Sequence, residues 1–189
     1  MLKDLVIKNR SYRRFEQSFE ISRSDLLKLI ELAQFSPTGM NLQPLKFYLS
    51  HSPEKNARIF PALGWAGYLK DWGGPVEGER PSAYIIILGD KSIKTYFGID
   101  HGIAAQSIML GVTEMGLGGC MIASVQRDIL CSELNIPDQY EILLVLALGK
   151  PIENVILEEV GANGNTRYYR DEAGGHHVPK RKLEDLVIN

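Results

Sequence analysis

The sequence predicts an α+β fold, a central sheet surrounded by helices, in a single domain that spans residues 1–189. Two apolar runs of strand length, residues 82–90 and 141–151, have the composition of strands inside a sheet. Residues 99–115 form a helical stretch that is apolar nearly all round, which indicates a buried helix. The elements do not alternate regularly, and this irregular order disfavours a doubly wound parallel sheet.

Shorter elements are expected around this centre. Ser22 and Asp25 fit a capping box at the start of a helix that should end before Pro37, because the residue before a proline avoids helical angles. Residues 45–50 form a strand candidate. In chain order, the other expectations are a short helix at 61–75, a glycine-rich turn at 116–124, a helix at 126–137, a polar loop or arm at 162–182 and a last short strand at 183–188.

Composition excludes several classes of function. The net charge of −2, with both signs mixed along the chain, argues against a nucleic-acid binder. The only two cysteines, Cys120 and Cys131, occur without a CxxC or HExxH motif, so we expect neither a disulfide framework nor a metal site. The N-terminal residues lack the apolar core of a signal peptide, and no run of 18 apolar residues could span a membrane. A cytoplasmic protein is expected.

Three arginines and a serine stand close together in residues 9–15, NRSYRRF. Arg10 and Arg13 flank Ser11, and guanidinium forks with a hydroxyl suit a phosphate monoester. The alternative is a solvated charged turn leading into Phe15. Taken alone, the heptad favours that alternative.

The glycines at 116–119 also have two interpretations. A dinucleotide fingerprint would require glycine where Met121 stands and a strand before the turn, so a Rossmann site is not indicated, and no P-loop motif exists. The glycines then indicate either a helix C-cap with close packing or a backbone that a flat ligand can approach closely. This segment alone favours the C-cap.

Residues 36–44, SPTGMNLQP, combine an irregular backbone with two amides. The side chains of Asn41 and Gln43 carry both donors and acceptors, and could therefore recognise the edge of a heterocycle. By itself the segment is a turn between a helix and a strand.

Two further clusters remain ambiguous. Trp65, Tyr68 and Trp72 are spaced as one helical face, and they could be core residues or an aromatic wall over a cofactor or substrate. His176 and His177 lie in a glycine-rich stretch and are interpreted as part of a flexible exposed loop rather than as metal ligands.

The order of these blocks is more specific than any one of them. The blocks are RSYRRF, AQFSPTGMNLQPLKF, DHGIAAQSIMLGVTEMGLGGC, LALGKP and VPKRKLEDLVI. Together they resemble the nitroreductase family of FMN-dependent oxidoreductases over nearly the whole chain. The resemblance implies a nitroreductase-like fold, in which helices flank a mostly antiparallel central sheet, and an intertwined homodimer with FMN at its interface.

The resemblance also implies the residues of the cofactor site. Arg10 and Ser11 match positions that hold the FMN phosphate, with Lys180 or Arg181 as a second anchor, and Arg13 matches a basic residue near the pyrimidine ring. The other matched positions are Asn41 with Gln43 beside it at the pyrimidine edge, Pro37, Thr38 and Gly39 of the same block, and the backbone near Gly118, Gly119 and Cys120 at flavin N5.

The implied activity is hydride transfer from NADH or NADPH through FMN to a nitroaromatic, a quinone or a similar small acceptor, in a ping-pong cycle. Alternatives are an FMN-binding protein without turnover and a specialised reductive enzyme such as a dehalogenase or a flavin-destroying enzyme. Asn9 departs from the family, which often has a second arginine there, so the phosphate should depend more on the C-terminal basic residues. The Trp65–Trp72 segment is the only obvious cover for a substrate.

Overall fold

Four strands form an antiparallel sheet through the middle of the chain in the computed structural model, which describes residues 1–188. The strands are β1 (Leu45–Ser50), β2 (Ala83–Asp90), β3 (Gly118–Ile122) and β4 (Tyr140–Gly149). Their order is β1-β2-β4-β3, and every neighbouring pair is antiparallel. The predicted α+β class and the central antiparallel sheet are confirmed.

Five helices pack around this sheet. They are α1 (Leu2–Lys8), α2 (Arg23–Gln34), α3 (Pro53–Ile59), α4 (Asp100–Glu114) and α5 (Arg127–Leu134), and short 3-10 turns lie at Gly39–Asn41, Phe60–Ala62 and Leu183–Asp185. The predicted cap of α2 is present, because Ser22 Oγ accepts a hydrogen bond of 3.1 Å from the Asp25 amide. This helix ends before Pro37, as expected.

The central strands are apolar on both faces because helices cover both. All eight residues of β2 are buried. Ile85 and Ile87 belong to the core under α2 and α4, whereas Tyr84 and Ile86 belong to the core under α3 and α5. This two-sided burial explains why β2 is a continuous apolar run instead of an alternating one.

A second, smaller sheet follows the central one. It contains β5 (Val155–Glu159), β6 (Tyr169–Arg170) and β7 (His176–Lys180) in the order β5-β7-β6, with β5 and β7 parallel. We call residues 153–180 the C-terminal arm. The region 162–182, expected as a polar loop or arm, thus contains two strands. Strand β7 pairs with β5 and β6 pairs with β7, and this pairing leaves no apolar pattern in the sequence.

Two other expectations are wrong. Residues 61–75 form turns rather than a helix, since Leu63 pairs with Val125 and both Ala66 (φ 37°) and Gly74 (φ 115°) have left-handed backbone angles. Residues 183–188 form a 3-10 turn and exposed irregular chain instead of a strand, because no residue within 1–188 pairs with them. Among the described helices, none has the length and apolar character needed to cross a membrane.

Candidate functional site

A cavity of about 350 Å³ opens at the β3 edge of the central sheet, between α4, residues 9–15, which we call the N-terminal segment, and β7. The structure brings five of the predicted cofactor residues to its wall: Arg10, Ser11, Arg13, Gly119 and Lys180. The other lining residues are Asn9, Gln106, Met109, Met121, Tyr168, His176 and Val178. Residues far apart in sequence thus converge on one small volume.

The N-terminal segment is fixed to the sheet by its backbone. Ser11 forms a parallel bridge with Gly119, and the Tyr12 amide donates to the Gly119 carbonyl at 3.0 Å. Phe15 is completely buried and pairs with Pro151. Because both ends of the segment are anchored, the intervening arginine side chains project from a fixed support.

Two cations at this cavity have no acidic partner within residues 1–188. Arg10 donates from Nη2 to the Val6 carbonyl at 2.6 Å, and its Nε is buried without a hydrogen-bond partner. Lys180 is exposed at the cavity mouth and forms no ion pair. A buried guanidinium nitrogen without a partner costs free energy unless an acceptor arrives. The donor set therefore fits a phosphate, with Ser11 as the third donor.

Arg13 is held more tightly than Arg10. Its amide donates to the Glu153 carboxylate, and its Nη1 donates to the Ser11 carbonyl at 3.1 Å. The guanidinium lies 4.9 Å from the centre of the Tyr168 ring and 3.2 Å from His176 Nε2. A positive charge is thus kept in one orientation at the cavity wall.

His176 is a neutral member of this cluster. Burial, and then the positive charge of Arg13, lower its pKa to about 4. The residue is 1% exposed, so its predicted place in an exposed loop is wrong. His177 is also held, between Glu158 and Asp171 at 2.9 Å each, and these carboxylates raise its pKa. Both histidines are fixed by residues that lie outside the GGHH stretch.

Glu153, the first residue of the arm, links Arg13 at the cavity wall to Arg170, and it was not predicted from the sequence. Besides the Arg13 amide, its carboxylate accepts from Arg170 Nη2 at 3.1 Å. The Arg170 guanidinium lies 4.2 Å from the centre of the Trp72 ring. No local motif marks Glu153, and the same is true of Tyr168, because their roles depend on the path of the arm.

The three predicted cover residues do not share a helical face. Trp65 is half-buried, packs against the Phe60 ring at 5.7 Å and lines a small pocket beside Arg13. Tyr68 instead contacts the ring of Tyr168 at 5.0 Å, and Trp72 lies under the arm. One aromatic residue thus packs on the core and two touch residues of the arm, and a cover over a cofactor or substrate stays a prediction.

The glycines are explained by packing within the chain. Gly116 ends α4 with φ of 73° and donates to the Thr113 carbonyl, which is a C-cap. A Cβ on Gly118 would lie 2.5 Å from both Tyr12 and Pro151, and one on Gly119 would lie 2.7 Å from the Ala147 carbonyl oxygen. The close-packing interpretation is thus observed, although the Gly119 backbone also lines the cavity. Gly118 and Gly119 belong to β3 instead of the expected turn.

Several predicted site residues lie away from this cavity in the single chain. The backbone N–H of Gly39 donates to Asp100 Oδ1 at 2.9 Å, and the backbone N–H of Gln43 donates to Thr38 Oγ1 at 3.1 Å. The other predicted residues that do not line the cavity are Pro37, Asn41, Gly118, Cys120 and Arg181. Cys120 is 4% exposed and, as expected, is a small buried residue.

The backbone of the segment around Gly39 is fixed in an unusual shape. Met40, Asn41 and Gln43 all have positive φ angles, of 54°, 55° and 50°. Few non-glycine residues adopt such angles. The side chains of all three are exposed. Gln43 Nε2 donates to the Asn41 backbone carbonyl at 3.3 Å, and the Asn41 side-chain amide is available to a partner molecule.

The fold and the cavity define an α+β protein with a cluster of cationic side chains at the edge of its central sheet. The model of the Nitroreductase family matches residues 6–72 and 77–150. The chain belongs to the nitroreductase family.

Relatives agree in sequence and in structure. YodC of Bacillus subtilis (strain 168), named as a candidate NAD(P)H nitroreductase, is 21% identical over 79% of this chain and 89% of its own. A nitroreductase family protein from Clostridium novyi NT superposes with a TM-score of 0.66 at 27% identity, covering 80% of this chain and 86% of that chain. A candidate nitroreductase from Exiguobacterium sibiricum 255-15, solved in complex with FMN, has a TM-score of 0.67 at 20% identity over 81% and 89% of the two chains.

Proposed function

We propose that this protein uses FMN to take hydride from NADH or NADPH and to reduce a small acceptor such as a nitroaromatic or a quinone. As a member of the nitroreductase family, the chain is an NAD(P)H-dependent flavin oxidoreductase. The single observation that carries the assignment of the site is the cavity at β3, where Arg10 and Lys180 have no acidic partner among residues 1–188 and lie beside the backbone of Gly119.

The residues of this chain would bind and orient the cofactor, whose ring supplies the hydride chemistry when it is bound. Arg10, Ser11 and Lys180 would hold the phosphate by charge-assisted hydrogen bonds. Arg13 would stabilise negative charge at the ring, because Glu153 fixes its backbone and so little reorganisation is needed.

Neutral His176 adds no charge beside this guanidinium, since burial and Arg13 lower its pKa to about 4. Of this pair of side chains, only Arg13 therefore carries a positive charge. No side chain of the cavity is required as a nucleophile or as a general acid in this scheme.

A second copy of the chain would complete the site. Asn41 and Gln43 lie off the cavity of their own chain, yet they are exposed on a segment whose backbone is held by Asp100 and Thr38. In a homodimer they would reach the pyrimidine edge of the flavin in the other subunit, together with Pro37, Thr38 and Gly39. A dimer would thus explain why residues that the family resemblance assigns to the flavin lie away from the cavity of their own chain.

The assignment is tested by titrating the purified protein with FMN and following the quenching of flavin fluorescence. We expect Arg10→Gln to weaken FMN binding by about 10- to 100-fold, because a charged hydrogen bond contributes about 1.5–3 kcal/mol. Arg58→Gln is the matched control, since Arg58 is an exposed arginine paired with Glu133 and should leave binding unchanged.

Turnover is tested with the same preparation by following NADH and NADPH oxidation with a nitroaromatic or a quinone. A protein that binds no FMN, or an Arg10→Gln variant that binds it as tightly as the parent, contradicts the assignment of the cavity. FMN binding without NAD(P)H oxidation would instead support the alternative of a flavin-binding protein.

A further inference from the structure

A buried ion pair fixes residues 37–43, which we call the Asn41 segment, to the first turn of α4. Asp100 Oδ2 lies 2.8 Å from Lys94 Nζ, and Asp100 Oδ1 accepts a hydrogen bond of 2.9 Å from the backbone N–H of Gly39. The side chain of Asp100 is 5% exposed and that of Lys94 is 18% exposed. One carboxylate thus joins the Asn41 segment, the loop before α4 and α4 itself.

This carboxylate is charged although it is buried. Burial raises the pKa of Asp100, but hydrogen bonds from Lys94 and from the Gly39 N–H outweigh that effect and hold the pKa below its ordinary value. A charged acceptor forms a stronger hydrogen bond than a neutral one, so the Gly39 backbone is held firmly. Among residues 1–188, Lys94 forms no other ion pair.

The backbone beyond this anchor is strained. Asn41 and Gln43 are among its residues with positive φ angles, which persist only where the surrounding structure imposes them. Both backbone N–H groups donate to Thr38, that of Asn41 to its carbonyl at 3.0 Å and that of Gln43 to its Oγ1 at 3.1 Å. These bonds shape the segment from within, whereas the bond from Gly39 to Asp100 fixes it to α4.

The middle of the same helix faces the cavity at β3. Gln106 and Met109 of α4 line that cavity, whereas Asp100 and Asn41 do not. Because an α-helix rises about 1.5 Å per residue, the anchor at Asp100 lies about 9–14 Å along the helix from these lining residues. The anchor therefore presents the exposed Asn41 side chain away from the cavity of its own chain.

We propose that Asp100 is a positioning residue for the flavin site of the other subunit. Together with Lys94 it fixes Gly39, and through Gly39 it keeps the Asn41 amide in the orientation that meets the flavin of the second chain. This role rests on the proposed function, in which a second copy completes each site. A side chain that supports a binding group in this way controls the geometry of the site without contacting the ligand.

The first test measures FMN affinity by the quenching of flavin fluorescence. Asp100→Asn should weaken FMN binding about tenfold, because the amide keeps the size of the side chain but loses the charge that holds Gly39, and small displacements of a binding group are costly. Ser36 Oγ donates to Ser107 Oγ of α4 at 2.7 Å, so the chain before the segment keeps its own attachment. Lys94→Gln, at a less buried position, is the second variant and should weaken binding in the same direction.

The matched control is Asp90→Asn. Asp90 is 5% exposed, and its carboxylate accepts hydrogen bonds from the backbone N–H and the hydroxyl of Ser92, outside the Asn41 segment. Both aspartate variants lose a buried charge, so a loss of melting temperature is expected in both. A tenfold loss of FMN affinity is expected only for Asp100→Asn.

The decisive test places two substitutions in different chains of one dimer. Chains carrying Asp100→Asn and Arg10→Gln are co-expressed with different affinity tags, and mixed dimers are isolated through both tags. If Asp100 acts on the other subunit, one site combines an unchanged Arg10 with an unchanged Asp100, and the second site contains both defects. We expect one FMN per mixed dimer, bound with the Kd of the parent protein.

The outcomes separate this role from the proposed function. Two equally weakened sites in the mixed dimer overturn the role of Asp100, and so does an Asp100→Asn variant that binds FMN like the parent while Arg10→Gln does not. An equal loss of affinity in Asp90→Asn also overturns it, because any buried charge would then have the same effect. A parent protein that binds no FMN, or that is a monomer, overturns the completed site of the proposed function and this role with it.

Discussion

The central sheet and the C-terminal arm are stabilised by different forces. In the sheet, the paired strands β2 and β4 lie between two apolar cores, and the side chains of Tyr84 to Ile87 are completely buried. In the arm, pairing among β5, β6 and β7 is accompanied by charged contacts that centre on Glu153 and His177. Apolar burial is nearly independent of pH and local charge, whereas buried ionic contacts are sensitive to both.

This difference assigns separate tasks to the two regions. The sheet provides a rigid edge at β3, to which the N-terminal segment is attached by the Ser11–Gly119 bridge. The arm carries Tyr168, from the loop before β6, and His176 and Lys180, from β7, to the same cavity, and β7 contains no buried apolar side chain. We expect the arm to open at a lower free energy than the sheet.

The largest expected effect is a loss of global stability when the sheet is truncated. Ile86→Ala removes a completely buried side chain and leaves a cavity, which should cost about 2–5 kcal/mol of unfolding free energy. Urea denaturation measures this cost. Ile129→Ala, at a position that is 52% exposed, is the control and should change stability by no more than about 0.5 kcal/mol. Equal losses for the two variants would contradict the two-sided core.

A smaller and local effect is expected in the arm. Glu153→Gln removes the charge that holds the Arg13 amide and Arg170, and should destabilise the arm by about 1–3 kcal/mol. Hydrogen exchange followed by mass spectrometry should become faster in peptides covering 169–180 and stay unchanged in those covering 83–90.

The control for this comparison is Glu159→Gln. Glu159 forms an exposed pair with Lys182 at 3.3 Å, so its replacement should leave exchange in the arm as it is. If Glu153→Gln accelerated exchange in β2 as much as in the arm, the two regions would be a single cooperative unit.

The smallest effect is a pH dependence of the arm with two opposite limbs. Hydrogen bonds that His177 donates to the carboxylates of Asp171 and Glu158 raise its pKa, so its contribution is full below about pH 6.5 and is lost as pH rises through the raised value. Burial lowers the pKa of His176 to about 4, so its contribution is present above about pH 6.5 and is lost as pH falls through that value.

Exchange rates in the arm, corrected for intrinsic pH dependence, should therefore be slowest near pH 6.5, the ordinary histidine pKa. His177→Gln should remove the alkaline limb only, and His176→Gln the acid limb only. Profiles that are identical in the parent and both variants would show that neither histidine controls the arm.

The elements that the sequence predicted well are those whose apolar pattern is complete in itself. The runs at 82–90, 99–115 and 141–151 correspond to β2, α4 and β4, since burial on both sides demands continuous apolar residues. The helical spacing of Trp65, Tyr68 and Trp72 was misleading. The positions of these residues depend on the backbone angles of Ala66 and Gly74 and on contacts with the arm. The arm lies about 100 residues further along the chain, so a short stretch of sequence does not reveal these contacts.

The candidate site was predicted in part for the same reason. Arg10, Ser11 and Lys180 could be proposed because their side-chain chemistry is visible in the sequence and in its resemblance to a family. Glu153 and His176 could not, because their burial depends on the parallel pairing of β5 with β7. The placement of residues 37–43 at the flavin stays a prediction that concerns two chains.

The burial of Cys120 has a consequence for resistance to oxidative damage. Its thiol lies in β3, directly after Gly119, which lines the cavity at β3, and burial raises its pKa. Since the thiolate is the form that peroxides attack, a protonated sulfur with almost no access to solvent should escape sulfenic acid formation. The sheet thereby shields its own sulfur from oxidation by peroxides.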